Sequence, residues 1–177
     1  STGHPKGCVH LQHDMLVCAK LYAEDVLGMS EEDRCFSVAK LFFAYGLGNG
    51  GYCPLALGAT TILWPGAPTA ANVYAVIEQH RPTLFFSVPT SYGMLLALHR
   101  EPEPDFDLSS IRQAVSAGEA LPPVLFERFQ RRFGVEILDG IGSTEVLHIF
   151  ISNRAGRVRP GSSGLLVPGY EARIVDD

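Results

Sequence analysis

From Leu41 to Ile77 not one side chain is charged. That stretch is nearly twice the ~20 apolar residues a helix needs to cross a bilayer. A chain that carries it must either span a membrane or bury it in a core. Gly46, Gly48, Asn49, Gly50, Gly51, Pro54, Gly58, Pro65, Gly66 and Pro68 interrupt the run. Proline lacks the amide donor and glycine loses most freedom on ordering, so this density breaks a continuous spanning helix. The pattern predicts a buried, glycine-containing helix over 45–57 and a buried strand over 60–64, with no membrane partner. The whole chain has 177 residues, 46% of them hydrophobic. That is one domain's length, enough to bury a real core.

Short apolar runs and amphipathic patterns alternate along the rest. Helical spacing marks 14–26, 70–80, 91–99 and the stretch that Pro122 and Pro123 open and Phe133 closes. Strands are expected over 35–39, 83–88, 111–117, 135–138 and 148–152. Residues 170–175 alternate like a half-exposed strand. Strands that alternate with helices predict an α/β fold, with mostly parallel sheets flanked by helices. Such sheets place their sites at the carboxyl ends of strands. The formal net charge is −5 and the arginines are scattered, which argues against a nucleic-acid partner. The cysteines, Cys8, Cys18, Cys35 and Cys53, form no CxxC pair, so reduced, buried thiols are expected rather than a zinc site. No secretory signal pattern opens the sequence, and a cytoplasmic location is expected.

Three segments carry chemistry. Ser1-Thr2-Gly3-His4-Pro5-Lys6-Gly7 combines hydroxyls, glycines and a lysine. Glycines let backbone amides approach phosphate oxygens, and Lys6 adds a point charge. It is not a Walker A loop, because Gly7 stands where Ser or Thr is required. Asp139-Gly140-Ile141-Gly142-Ser143-Thr144-Glu145 directly follows an expected strand. Its alternate glycines leave room for a planar ligand, Thr144 offers a hydroxyl to a phosphate, and Glu145 offers a hard carboxylate to Mg²⁺. Ser116-Ala117-Gly118-Glu119-Ala120-Leu121-Pro122 follows another strand. Taken singly, each segment equally suits an ordinary surface turn.

Together, and in this order, they resemble the adenylate-forming superfamily of acyl-CoA synthetases, adenylation domains and luciferases. The first segment is similar to the end of that family's phosphate loop, a Ser/Thr/Gly-rich run closing in Pro-Lys-Gly. Residues 139–145 resemble its Gly-x-Gly-x-Thr-Glu motif. Gly161-Ser162-Ser163-Gly164, with Pro168-Gly169 behind it, resembles its next glycine motif. The resemblance implies that 1–177 is part of a large AMP-binding domain that begins inside the phosphate loop. The ribose-holding aspartate, the hinge and a small C-terminal domain with its lysine would lie beyond Asp177. The piece alone is then expected to be inactive.

A narrower resemblance, to the benzoate- and hydroxybenzoate-CoA ligase branch, rests on residues 39–49 and 145–153. It implies that Phe43, Ala44, Tyr45, Ala117, His148 and Ile149 shape a pocket for a small aromatic carboxylic acid. Ser1, Thr2, Gly3 and Lys6 would hold the outer phosphates of ATP. Thr144 would touch the α-phosphate and Glu145 would hold Mg²⁺. Gly118, Glu119 and Ala120 would flank the adenine opposite Asp139, Gly140, Ile141 and Gly142, with coenzyme A as second substrate. Lys6, Thr144 and Glu145 are the expected catalytic residues. A homodimer of the intact protein is compatible with the resemblance. Ile141 departs from the commoner aromatic residue at its position, so adenine stacking there is weaker. Phe42, Phe43 and Tyr45 also suit plain core aromatics, Phe42 most of all, and His148 suits a core histidine bonded to a carbonyl. Other acids remain open: fatty acids, hydroxycinnamates or amino acids. Residues 39–49 lack the carboxylate that an amino acid's ammonium would need. A non-catalytic nucleotide-binding remnant or an unrelated α/β binding domain also remains open.

Overall fold

The computed structural model describes residues 3–99 and 105–176. Ser1 and Thr2, expected at the phosphate clamp, lie outside them. The chain opens with α1 (Asp14–Cys18), which widens into a π-helical stretch, Ala19–Glu24. Strand β1 (Arg34–Ser37) leads to α2 (Ala44–Leu47), a second π-helical stretch (Gly48–Tyr52) and α3 (Cys53–Leu57). Then come β2 (Thr60–Ile62), α4 (Ala70–His80), β3 (Leu84–Ser87) and α5 (Pro89–Ala97). The chain continues through β4 (Gln113–Ser116), α6 (Pro123–Phe133), β5 (Ile137–Gly142), β6 (Ile149–Ser152) and β7 (Leu165–Leu166).

The strands form one sheet in the order β2-β1-β3-β4-β5-β6-β7. The first five are parallel, and β6 and β7 add antiparallel to β5. A parallel sheet is covered on both faces, so its strands read as unbroken apolar runs. Every residue of β3 is buried. Phe85 points into a cluster with Phe36, Tyr74, Tyr92, Phe129 and Ile137, under α4, α5 and α6. Leu84 and Phe86 point the other way, to Tyr22, Cys35, Cys53, Val115 and Leu138, under the first helical segment and α3. The uncharged run of 41–77 is therefore a helical layer, an edge strand and the first turns of a covering helix. Among the described residues no helix is long and apolar enough to cross a membrane. All four cysteines are free, with Cys18, Cys35 and Cys53 buried.

Several boundaries differ from the sequence expectation. The helix over 14–26 is half π-helical, because a 3.6-residue pattern does not register a wider turn. Residues 170–175 form no strand, and the short β7 stands before them. Strand β5 runs through Asp139–Gly142, which the glycines had marked as a turn. Phe42 and Phe43 are not core aromatics: they are 80% and 58% exposed and pack on each other.

At the amino ends of the parallel strands sits a buried carboxylate, Asp33. It accepts from Ser30 N (3.0 Å), Thr83 Oγ1 (2.6 Å) and Arg112 Nε and Nη2 (2.8 and 2.7 Å). Arg112 also donates to the carbonyls of Leu27 and Gly28. Burial pushes the carboxyl up, but Arg112, Thr83 and the Ser30 amide outweigh it and hold Asp33 below its ordinary value. The stabilisation is therefore complete above the unfolded-state pKa and is lost as pH falls through the lower folded value. Asp33→Asn should destabilise the intact protein at pH 7 by ~2–3 kcal/mol, less than a fully buried pair because Arg112 is half exposed. The deficit should shrink as pH falls through the lowered folded value, as read by urea denaturation across pH.

Candidate active site

The loops leaving β1, β4 and β5 converge above the carboxyl edge of the sheet. Together with the start of β6 they enclose a cavity of about 210 Å³. Its walls are Phe43, Ala44, Tyr45, Ala117, Gly118, Gly142, Ser143, Thr144, Leu147, His148 and Ile149. All six expected pocket residues are among them, and none of the eleven carries a formal charge apart from what His148 could take up. A second cavity of about 250 Å³ shares Gly118 and Gly142 with the first and is otherwise walled by Glu119, Ala120, Gly140, Ile141 and Ser163. The two form one bipartite cleft.

The glycines shape it in two ways. Gly118 has φ +90°, a left-handed conformation that other residues rarely adopt. Gly140 and Gly142 line the second cavity and also serve a further purpose. A Cβ on Gly140 would lie 2.8 Å from the Ile151 carbonyl oxygen, and one on Gly142 would lie 2.9 Å from that of His148. Their bareness lets β6 close on β5. The ligand side of that strand is offered instead by Ile141, 44% exposed where the β5–β6 register shifts.

His148 forms the floor of the first cavity. It is 2% exposed, and neither ring nitrogen has a partner among the described residues. Burial pushes the imidazole down to about 4, so the ring is neutral at physiological pH. It packs among Tyr22, Tyr45 and Tyr52, with ring centroids at 5.2, 6.0 and 6.2 Å. Tyr45 is anchored by its hydroxyl, which donates to the carbonyls of Ser87 (3.3 Å) and Val115 (3.2 Å) at the ends of β3 and β4. A weaker interaction of the His148 ring with the Tyr45 backbone opposes the effect of burial.

Asp139 lies beneath the second cavity, buried. Its Oδ2 accepts from Ser163 Oγ at 3.4 Å, while Oδ1 has no partner among the described residues. Burial pushes the carboxyl up to about 6, against smaller opposing hydrogen bonds. The motif 161–164 is held by Asn153, whose Nδ2 donates to the carbonyls of Ser162 (2.6 Å) and Asp139 (3.2 Å). Asn153 and Ser163 entered the sequence reading only as members of longer motifs, with no role of their own. The glycines flanking Ser163 were the available signal.

Thr144 and Glu145 are exposed at the cleft mouth. The Glu145 carboxyl is held below the usual carboxylate range by its own backbone amide and the Ser143 hydroxyl. His10 brings the amino-terminal segment to this turn, its Nε2 lying 2.7 Å from the Thr144 carbonyl oxygen. Gly3 and Lys6, in that segment, are exposed. Among the described residues no group of three acidic, histidine or cysteine side chains is arranged to hold a metal ion. A lone exposed carboxylate fits Mg²⁺ all the same, since that ion keeps several waters and takes substrate phosphates as ligands.

Comparison with known proteins identifies the family of this fold and cleft. The AMP-binding enzyme family model matches residues 1–177, and the chain belongs to that family. It is similar to the benzoate–CoA ligase of Thauera aromatica, 53% identical over 180 residues, which cover 100% of this chain and 33% of that protein. The 4-hydroxybenzoate–CoA/benzoate–CoA ligase of Rhodopseudomonas palustris is 45% identical, over 100% of this chain and 32% of its own length. Among solved structures, the anthranilate CoA ligase AuaEII in complex with anthranoyl-AMP superposes with a TM-score of 0.95 and 48% identity. The match covers 100% of this chain and 34% of that one. The chain thus spans about a third of the length of the relatives it matches.

A carboxyl raised on folding stabilises the fold fully below its unfolded value, and that contribution is lost as pH rises through about 6. Asp139→Asn removes the buried charge and leaves an amide that can donate to the neighbouring Ser116 Oγ. The variant should melt above the parent protein at pH 8. The gap should close by pH ~4, as followed by thermal unfolding in buffers across that range.

Proposed function

We propose that the intact protein joins a small aromatic carboxylic acid to coenzyme A at the expense of ATP, through an acyl-adenylate. The observation that carries this reading is the bipartite cleft. An uncharged, partly aromatic cavity opens at Gly118 and Gly142 onto a second one walled by glycine-rich backbone. A flat acid wants apolar walls and few polar groups to orient it. The relatives, named for benzoate and hydroxybenzoate or solved with anthranoyl-AMP, point the same way.

In this reading the acid's ring lies between Tyr45 and Ala117 over His148, with Phe43, Ala44 and Ile149 closing the sides. Its carboxylate faces the shared glycines. The adenine lies against Ile141, between the backbone of Gly118–Ala120 and that of 139–142. A carboxylate oxygen attacks the α-phosphorus, the bond to the bridging oxygen breaks, and pyrophosphate leaves. Thr144 donates its hydroxyl to the α-phosphate. Ser1, Thr2, Gly3 and Lys6 hold the departing phosphates. Glu145 holds Mg²⁺, which when bound neutralises charge on the phosphates. The coenzyme A thiol then attacks the acyl carbon and AMP leaves. Positioning and charge neutralisation supply most of the acceleration. Residues 1–177 are part of the large AMP-binding domain of this enzyme. A cytoplasmic location suits its soluble substrates.

The test is carboxylate-dependent ATP–pyrophosphate exchange by the intact protein, over benzoate, hydroxybenzoates, 2-aminobenzoate, cinnamates, hexanoate and amino acids. Exchange is expected with benzoate-like acids alone. Exchange confined to aliphatic acids would refute the aryl pocket, and ATP binding without any exchange would refute catalysis. Glu145→Ala should lower exchange by at least ~100-fold, and unchanged rates at limiting Mg²⁺ would remove Glu145 from the metal role.

A further inference from the structure

Behind His148 lies a residue that touches no ligand. Gly48 begins the second π-helical stretch and is buried. A Cβ built on it would fall 2.2 Å from His148 Cδ2, 2.4 Å from Nε2 and 2.9 Å from the Tyr52 hydroxyl. No carbon approaches another atom that closely without something moving. The neighbours leave one direction for that movement. Tyr22, Tyr45 and Tyr52 stand round the ring. The backbone is fixed as well: His148 N donates to the Val146 carbonyl at 2.9 Å, and its own carbonyl accepts from Ser143 N at 3.3 Å. The preceding Leu147 already sits at φ +70°. The open side is the cavity that the ring floors.

We infer that Gly48 is a positioning residue that sets the depth of the aryl pocket by giving the His148 ring a seat. With no side chain at 48, the imidazole sinks against helix backbone and leaves room above it for a substituted ring. Any larger residue lifts the imidazole into the cavity. In a cavity of about 210 Å³, one intruding methyl-sized displacement separates acids by size. The inference rests on the proposed aryl-acid reading for its substrate, but the seating of the ring does not.

The experiment compares the parent enzyme, Gly48→Ala, His148→Ala and the double variant. For Gly48→Ala we expect KM to rise roughly 10- to 100-fold for 4-hydroxybenzoate and 2-aminobenzoate. The KM for benzoate should change least, and kcat for benzoate and KM for ATP should hold. In the His148→Ala background the size-selective Gly48→Ala penalty should fall away, because only the Tyr52 hydroxyl, at 2.9 Å, is left to give way. An equal loss for every acid would overturn the inference, as would a penalty that persists without the imidazole. Should Gly48→Ala not fold, the double variant must recover folding, and failure to do so overturns it too. A readout free of substrate is the His148 titration followed by NMR. It lies at about 4 in the parent and should move upward in Gly48→Ala as the ring rises toward the cleft. An upward shift in a protein that exchanges no aryl acid would uphold the seat while refuting the substrate. An unmoved titration would refute the seat itself.

Discussion

The architecture hangs on a carboxylate far from the cleft. Asp33 gathers the amide of Ser30, the hydroxyl of Thr83 and the guanidinium of Arg112, which in turn holds the carbonyls of Leu27 and Gly28. These groups sit where β1, β3 and β4 begin. Parallel strands have no tight turn to fix their register, since each is reached through a long crossover. A charge-assisted knot at one end does that work. The other end is left to loops whose conformations are dictated by glycine and by what they enclose. The division fits the pairing: Asp33 and Arg112 at the base are fully engaged, while among the described residues Asp139, His148 and Ser116 near the cleft keep buried polar atoms without a geometric partner.

The sequence made much of this visible, for identifiable reasons. Helix α4 falls on its expected residues because Thr69 caps it, accepting from Asn72 N at 3.3 Å, and because its apolar face keeps strict helical spacing. Strand β3 was legible because a strand buried on both faces is a plain apolar run. The π-helical stretches were not, because their apolar residues still fall near a 3.6-residue stripe. The continuation of β5 through Gly140 and Gly142 was hidden because glycine announces turns far more often than close strand pairing. Only the partner strand shows which it is. Phe42 illustrates the converse: an aromatic in an uncharged run reads as core, yet this one faces outward.

For the site, types and order were enough to gather Tyr45, Ala117 and His148 in one cavity, through motifs on three separate strands. What the motifs could not convey is support. Asn153 holding the 161–164 loop, Tyr45 bridging the ends of β3 and β4, and Gly48 behind the imidazole act through distances set by tertiary packing. Nothing in their local sequence distinguishes them. The density of glycines at 46, 48, 50 and 51 was a signal of close approach, but not of what approaches.

Under the proposed function, the absence of formal charge on the cavity walls also sets what the pocket would turn away. An acid enters as an anion, and its single carboxylate can stay at the mouth near Thr144. A second carboxylate on the ring would be carried down to a neutral imidazole and three tyrosine rings, with no cation to receive it. Burying an unpaired charge is far costlier than burying a hydroxyl or an amino group. Aromatic dicarboxylates would then be refused by solvation rather than by shape, a filter that acts even on molecules small enough to fit.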